Sequence, residues 1–306
     1  MKQLVVISGK GGTGKTSLTA SFAALAGQAV IADCDVDAAD LHLLLAPKVK
    51  ACHDFISGHE AVIKQEACAG CGTCFYHCRF DAVSRTETGA AYTIDPMRCE
   101  GCGLCAELCP VQAITLPERD CGVWLESDTR YGPMIHAQLK VAAENSGRLV
   151  SLVRQQAIET AKRHELDQII IDGPPGVGCP VIAAITGTTL ALIVTEPSVS
   201  GVHDLIRTLS LTEHFGVPTA ICINKCDLNP ALSDRIARIV AESKAELVGT
   251  LPYDAVFTTA QLEGKPLVEL SSTLAESIRS IWDKLNHIEN QTCLQKKKSA
   301  FPASHI

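Results

Sequence analysis

The sequence predicts an α/β protein with a doubly wound, mostly parallel sheet and a small α+β domain inserted into it. Short apolar runs alternate with helical stretches along most of the 306 residues, which is typical of parallel strands joined by helices. Between about residues 65 and 116 this periodicity stops and cysteines recur instead. A chain of this length can bury more than one core, so we expect two domains.

The periodicity places each element in order. Strands are predicted at residues 3–8, 30–33, 122–125, 168–172, 189–195, 218–224 and 246–251. Helices are predicted at residues 15–26, 134–145, 150–164, 201–214, 231–243 and 266–287. The insertion lies between the second and third core strands. The predicted domains are therefore residues 1–64 with 117–287, an inserted domain at 65–116, and a disordered tail at 288–306.

Composition excludes several classes of protein. The net charge of −7 and the pI near 5.8 argue against a nucleic-acid-binding surface, which needs a basic patch. No charge-free apolar run reaches the roughly 18 residues of a membrane span. The N-terminus enters a strand without the pattern of a signal peptide, so we expect a cytoplasmic protein whose 15 cysteines are not a disulfide framework.

A phosphate-binding loop follows the first strand. Residues 9–16, GKGGTGKT, fit the pattern G-x-x-x-x-G-K-T between a strand and a helix. In this motif the backbone N–H groups surround phosphate oxygens, Lys15 neutralises the outer phosphates and the Thr16 hydroxyl binds Mg²⁺. The predicted nucleotide-binding residues of the loop are Gly9, Lys10, Gly11, Gly12, Thr13, Gly14, Lys15 and Thr16.

Two acidic motifs accompany this loop at strand ends. One is Asp33-Cys34-Asp35, and the other starts at Asp172 and continues Gly-Pro-Pro-Gly to Gly176. With the extra loop lysine, Lys10, these motifs resemble the deviant Walker-A ATPases. That class includes the MinD and ParA proteins, the Mrp-type iron–sulfur carriers, the arsenite and tail-anchor ATPases, and the nitrogenase iron protein. The whole layout looks like a MinD-superfamily ATPase with an inserted ferredoxin domain.

The resemblance implies a role for each matching position. Lys10 matches the signature lysine, which reaches the partner's phosphates across an ATP-bound homodimer, so Lys10, Lys15 and Asp35 are the expected catalytic residues. Asp35 matches the acid that orients the attacking water. Asp33 and Asp172 match carboxylates near Mg²⁺. Gly176 matches the switch II glycine whose N–H senses the γ-phosphate.

Base recognition is expected beyond the strand at 218–224. Asn224 stands where the family places its base-contacting asparagine, and Pro252 stands where the family packs the base. Asn224 and Asp227 also fit N-K-x-D, the guanine-reading motif of GTPases. The deviant loop favours ATP, and GTP stays open as the alternative.

Two cysteine runs repeat each other 31 residues apart, and each has the spacing x2-x2-x3 of bacterial ferredoxins. In that pattern three cysteines of a run bind one [4Fe-4S] cube and the fourth reaches the neighbouring cube. The pattern assigns Cys68, Cys71, Cys74 and Cys109 to one cube. It assigns Cys99, Cys102, Cys105 and Cys78 to the other. A zinc site is the disfavoured alternative, and oxygen-sensitive cubes suit an anaerobe.

Cys179 stands at the offset where the nitrogenase iron protein has a ligand of a cluster shared by two subunits. The other ligand there lies ten residues after a glutamate–serine pair. Counting ten residues from Glu126 reaches His136, which is not a cysteine. Cys179 is therefore either a ligand of a third metal centre at a dimer interface, with His136 as a partner, or a packed thiol.

The last predicted helix carries an apolar stripe. Its members are Leu274, Ile278, Ile281, Trp282, Leu285 and Ile288. MinD binds membranes through a C-terminal amphipathic helix, but surface-binding helices are usually rich in lysine and arginine, and the polar face here is mixed. Docking of the helix on its own sheet is therefore favoured over membrane binding.

Two functions remain for comparison. The first is a slowly hydrolysing ATPase that couples dimer switching to electron transfer with a redox partner. The second is an ATPase that assembles or carries a metallocluster and delivers it to a client protein. A positioning ATPase on a membrane or nucleoid fits the acidic pI and the two cubes least well.

Overall fold

The computed structural model describes residues 1–140, 143, 145–270 and 272–300. It divides into two compact units. The first comprises Met1–Cys52, Trp124–Gln138 and the chain from Ser146 onwards. The second comprises His53–Val123 and Leu139–Asn145, so the compact unit that contains the cysteine runs is wider than the predicted 65–116.

The chain forms a nine-stranded sheet, most of whose residues belong to the first unit. The strands are β1 (Lys2–Ser8), β2 (Val30–Asp33), β3 (Lys48–His59), β8 (Glu118–Thr129), β9 (Gly132–Leu139), β10 (Gln168–Pro175), β11 (Leu190–Thr195), β12 (Thr219–Ile223) and β13 (Glu246–Thr250). Their order is β13-β12-β11-β1-β10-β2-β9-β8-β3, and all pairs from β13 to β9 are parallel. The predicted fold class is confirmed.

Helices cover the strands and join them. They are α1 (Lys15–Ala26), α2 (Leu41–Leu45), α5 (Ser146–Arg163), α6 (Cys179–Ile185), α7 (Val199–His214), α8 (Pro230–Ala241), α9 (Val256–Glu263) and α10 (Ser272–Ala300). Side-chain caps define the first residues of α7 and α8. The Ser198 hydroxyl accepts from Gly201 N–H, and the side-chain oxygen of Asn229 accepts from Leu232 N–H.

The central strands are buried along both faces because helices pack on each side of a parallel sheet. The apolar stripe of α10 belongs to this core, and Trp282 stacks on Phe22 of α1 with ring centroids 5.5 Å apart. The helix is therefore docked on its own sheet, as predicted. In the part of the chain that the structure describes, no helix has both the length and the apolarity to cross a membrane.

Two predictions of secondary structure were wrong. The helix predicted at 134–145 is instead strand β9 as far as Leu139, and its Met134 and Ile135 pair with Ile31 and Ala32 of β2. This pairing is non-local, so its stabilisation does not show in the local spacing. The tail predicted from residue 288 is helical as far as Ala300, and residues 301–306 lie outside the described residues.

The second unit has small elements around its own core. They are β4 (Val62–Ile63), α3 (Thr73–His77), β5 (Val83–Arg85), β6 (Tyr92–Ile94), α4 (Leu104–Glu107) and β7 (Ile114–Thr115). The strands form two antiparallel pairs, β4 with β7 and β5 with β6. This α+β arrangement matches the predicted type of inserted domain.

Candidate nucleotide and cluster sites

The phosphate loop lies between β1 and α1 and has the backbone shape that its glycines predict. Gly12 and Gly14 have φ values of +78° and +91°, in the left-handed region. A Cβ atom on Gly14 would lie 2.5 Å from Asn224 Nδ2, so a side chain has no room there. The loop leads directly into the first turn of α1, whose N–H groups are available to an anion.

Lys15 lies buried between two carboxylates. Its Nζ is 3.0 Å from Asp172 Oδ2 and 3.3 Å from Asp35 Oδ2. Burial lowers the pKa of Lys15, but the negative charges of Asp172 and Asp35 outweigh burial and raise it. The ammonium group is therefore kept charged at the point where phosphate oxygens are expected.

Hydroxyl groups of α1 anchor Asp172. Thr16 Oγ1 donates to Asp172 Oδ2 and Thr19 Oγ1 donates to Asp172 Oδ1, both at 2.8 Å. Asp172 is completely buried. A hydroxyl and a carboxylate thus meet beside the loop, and both are oxygen ligands of the type that Mg²⁺ prefers.

Asp33 provides a test of whether a cation fits this site. It is completely buried, and its Oδ1 accepts the Asp35 N–H at 3.2 Å. Its Oδ2 has no hydrogen-bond partner among the described residues. Burial, followed by the charge of Asp172, raises the pKa of Asp33 well above its usual value. A hydrated divalent cation would satisfy this oxygen, so the donor set fits Mg²⁺.

A cleft of about 620 Å³ opens over the loop. Asp35 lines this cleft, as its predicted role requires, together with Asp40 and Gln261. The sequence analysis missed these last two residues. Asp40 precedes the short helix α2, and Gln261 lies on α9, which was not predicted because eight residues give too little periodicity.

Lys10 is held within its own chain. Its Nζ lies 2.5 Å from Glu196 Oε1 and 3.1 Å from the hydroxyls of Ser198 and Ser200. The other carboxylate oxygen of Glu196 pairs with Lys225 Nζ at 2.8 Å. Sequence reasoning missed Glu196. The available signal was an acid directly after the apolar run of β11, at the carboxyl edge of the sheet.

The residues expected near the base connect the loop to the following strands. Asn224 Nδ2 donates to Thr13 O at 2.8 Å, so this amide holds the phosphate loop. Asp227 Oδ1 accepts the N–H of Tyr253 at 2.6 Å, next to Pro252. One oxygen of the carboxylate that would recognise guanine in a GTPase is thus used within the protein, and the preference for ATP rests on the deviant loop.

Gly176 has a different hydrogen-bond partner from the one its expected role implies. Its φ is +94°, and its N–H donates to Ser8 O at 2.8 Å. To contact a γ-phosphate, this N–H would have to give up its hydrogen bond to Ser8 O.

The cysteines of the second unit line two separate cavities. One cavity, of about 320 Å³, is lined by Cys68, Cys71, Cys74 and Cys109. The other, of about 380 Å³, is lined by Cys78, Cys99, Cys102 and Cys105. The structure therefore brings together the same two sets that the ferredoxin pattern assigns, with the fourth cysteine of each run at the cavity of the other.

The arrangement of the cysteines fits cubes rather than single ions. Four thiolates around one zinc ion would all lie about 2.3 Å from a common point. Within the described ranges, no three side chains of His, Cys, Asp or Glu converge closely enough to hold one metal ion. The cysteines instead surround a space, as a [4Fe-4S] cube requires.

Burial separates the eight cysteines into two classes. Six pack against the apolar core of the second unit: Cys68, Cys74, Cys78, Cys99, Cys105 and Cys109. Cys71 and Cys102, the second cysteine of each run, are exposed. Ala113 N–H donates to Cys109 Sγ at 3.2 Å, a hydrogen bond typical of cluster ligands.

Cys179 and His136 occupy different environments. Cys179 is exposed at the first residue of α6. His136 Nε2 lies 2.8 Å from Ser127 Oγ, and burial lowers the pKa of His136 to about 4. Ser127 and His136 belong to strands β8 and β9, which are neighbours in the sheet. His136 therefore has a structural partner, and a third metal centre at Cys179 stays a prediction.

Comparisons with known proteins cover both units. Residues 61–116 match the family model of the 4Fe-4S dicluster domain. An uncharacterised protein of Methanocaldococcus jannaschii is 33% identical over 288 residues, which cover 92% of this chain and 96% of that protein. The septum site-determining protein MinD of Synechocystis is 25% identical over 276 residues, covering 87% and 81% of the two chains.

Solved structures show the same fold. The septum site-determining protein MinD of Pyrococcus horikoshii, in complex with Mg-ADP, aligns with a TM-score of 0.56 and 18% identity. The alignment covers 95% of this chain and 98% of that chain.

Proposed function

Because the chain belongs to the MinD superfamily of P-loop ATPases with an inserted ferredoxin domain, we propose that it couples ATP-driven switching of a homodimer to electron transfer. The observation that carries the proposal is the presence of two distinct sites in one chain. One is a cleft lined by the phosphate loop and Asp35, and the other is a pair of four-cysteine cavities.

The nucleotide site has the groups that phosphoryl transfer needs. Lys15 supplies a buried positive charge for the outer phosphates. The Thr16 hydroxyl and the Asp172 carboxylate would hold Mg²⁺. Asp35, at the cleft wall, orients the attacking water. Hydrolysis is slow because catalysis depends on positioning by the closed dimer.

The dimer contributes Lys10. In the structure this lysine is paired with Glu196 and hydrogen-bonded to Ser198 and Ser200. In an ATP-bound dimer with two-fold symmetry, each Lys10 reaches the phosphates of the partner subunit. Lys10 then leaves Glu196 and pairs with a phosphate instead, and this change of partner links closure of the dimer to the bound nucleotide.

The cysteine unit provides the redox function. When bound, [4Fe-4S] clusters supply one-electron transfer at low potential. Three packed cysteines would hold each cluster against an apolar core, which suits cofactors that stay in place over many redox cycles. The exposed Cys71 and Cys102 mark the face through which a redox partner exchanges electrons.

A second candidate is a cluster-delivering ATPase. Its support is the exposure of Cys71 and Cys102, with exposed Cys179 as a further thiol, since transfer to a client needs accessible ligands. The six packed, half-buried cysteines favour the relay over the carrier.

Retention of metal distinguishes these two functions. Anaerobically purified protein is analysed for iron and sulfide, then incubated with Mg-ATP and a cysteine-rich acceptor peptide, and separated again. The relay predicts about eight iron and eight sulfide per chain before and after ATP. Loss of iron to the acceptor in wild type, but not in Lys15→Ala, would establish the carrier instead.

A further inference from the structure

The C-terminal end of α6 is capped by a side chain from another helix. Arg154, on α5, donates from Nη1 to Ala183 O at 2.8 Å and to Thr186 O at 2.6 Å. Its Nη2 donates to the side-chain oxygen of Gln3 at 2.8 Å. The last carbonyls of a helix have no partner within the helix, so α6 depends on Arg154 for two of its acceptors.

The N-terminal end of α6 also lies on α5. A Cβ atom on Gly147, in the first turn of α5, would lie 3.4 Å from the Cβ of Cys179. Cys179 is the first residue of α6. The two helices are therefore in contact at both ends of α6, at Gly147 and at Arg154, and can move together as one body.

Each helix leads to one of the two functional parts. The chain enters α6 directly from the segment of Gly176, whose N–H is bonded to Ser8 O and has to change its acceptor to contact a phosphate. The chain enters α5 directly from Leu139–Asn145, which belongs to the compact unit with the cysteines. A movement of the Gly176 segment would act on α6, and the first residue of α5, Ser146, directly follows Asn145 of the unit with the cysteines.

We propose that Arg154 is the coupling residue that makes α5 follow α6, so that the nucleotide state is transmitted along α5 to the unit that holds the clusters. The inference rests on the proposed function, since it assumes that ATP moves the Gly176 segment. This role differs from that of a cap that only stabilises α6. Loss of Arg154 leaves the response of α6 to nucleotide intact and removes the response of α5 and of the unit with the cysteines.

Hydrogen–deuterium exchange on the full-length, anaerobically purified protein tests this role. Exchange is compared with and without a non-hydrolysable Mg-ATP analogue in wild type, Arg154→Gln and Arg163→Gln. Arg163 is the matched control because it lies on α5 and pairs with Glu126 Oε2 at 3.2 Å, away from α6. Nucleotide binding and thermal unfolding of each variant are measured in parallel.

In wild type and Arg163→Gln, the analogue should change exchange in residues 176–186, 146–157 and 53–123. In Arg154→Gln only residues 176–186 should respond, with nucleotide affinity within about twofold of wild type. A response of residues 53–123 in Arg154→Gln equal to that of wild type overturns the coupling role.

Other outcomes remain informative. If Arg154→Gln does not fold, Arg154→Lys replaces it, because one ammonium group cannot reproduce the planar fork that serves three acceptors. The distal response should then fall below half that of wild type, and an undiminished response contradicts the proposal. A wild type in which residues 176–186 do not respond to the analogue contradicts the proposed function itself.

Discussion

Lys10 and Glu196 form an ion pair of 2.5 Å at the edge of the nucleotide cleft. The same carboxylate pairs with Lys225, whose Nζ also donates to Gly12 O at 2.9 Å. Burial raises the pKa of Glu196, but the hydrogen bonds from Lys10 and Lys225 outweigh this and lower it, so the carboxylate is ionised. Glu196 therefore holds the lysine that the proposed dimer would use.

Removal of this ion pair should favour dimerisation. In Glu196→Gln, Lys10 no longer has to leave a carboxylate before it contacts the partner's phosphates. Loss of a partly exposed pair is worth about 1 kcal/mol, so half-maximal dimerisation should need roughly fivefold less ATP analogue. Sedimentation velocity over a titration of the analogue measures this.

The control for that experiment is Glu213→Gln. Glu213 is on α7, the helix that follows Glu196 in the chain, and pairs with Lys244 at 2.8 Å on an exposed surface. It should dimerise like wild type, and Lys10→Ala should not dimerise. A Glu196→Gln protein that needs as much or more analogue than wild type would show that Glu196 does not restrain Lys10.

Asp35→Ala should separate binding from hydrolysis. Asp35 lines the cleft, while Lys15 keeps its contact with Asp172 in the variant. Loss of one water-orienting group typically costs about 100- to 1000-fold in rate. ATP turnover should fall by that factor with little loss of ATP binding, whereas Lys15→Ala should lose binding. Normal turnover in Asp35→Ala would refute the assigned role.

The crossed grouping of cysteines gives a spectroscopic prediction. Cys78 lines the cavity of Cys99, Cys102 and Cys105 although it is the fourth cysteine of the other run. Cys78→Ser and Cys99→Ser should therefore alter the same EPR signal, and Cys109→Ser should alter the signal that Cys68→Ser alters. The exposed Cys52, on β3, serves as control and its serine variant should keep both signals. If Cys78→Ser altered the signal that Cys68→Ser alters, the crossed arrangement would be excluded.

His136 makes stability depend on pH. Its pKa of about 4 in the folded protein is below the usual value of 6.5, so the unfolded chain binds the proton more tightly. Stability from this group is complete above pH 6.5 and is lost as the pH falls towards 4. Between pH 7.5 and 5.5 the free energy of unfolding should fall by about 1 kcal/mol more in wild type than in His136→Gln. Urea titrations at both pH values test this difference. An equal fall in the free energy of unfolding in the two proteins would contradict it.

Local patterns were sufficient for the nucleotide half of the fold. The strands β1, β2, β10 and β11 are continuous apolar runs buried on both faces. The strand before the phosphate loop and the helix after it identify the position of that loop. Lys15, Thr16 and Asp172 meet because the carboxyl ends of parallel strands share one edge of the sheet. These features depend on short-range sequence and on general topology.

Features set by non-local contacts were not predictable in the same way. Strand β9 is a strand because β2 pairs with it, and its own residues have helical spacing. Glu196 and Arg154 act on groups 186 and at least 29 residues away in the chain, so no local motif identifies them. The wider cysteine unit likewise depends on the long strands β3 and β8, which the sequence analysis did not define.

The most direct test of the central claim is an EPR-monitored redox titration of the two clusters with and without a non-hydrolysable Mg-ATP analogue. Wild type should bind the analogue and show a shift in the reduction potential or the EPR line shape of at least one cluster. Lys15→Ala, which retains both clusters, should show none. Identical titrations of wild type in both conditions, with the analogue demonstrably bound, would contradict coupling between ATP and the clusters.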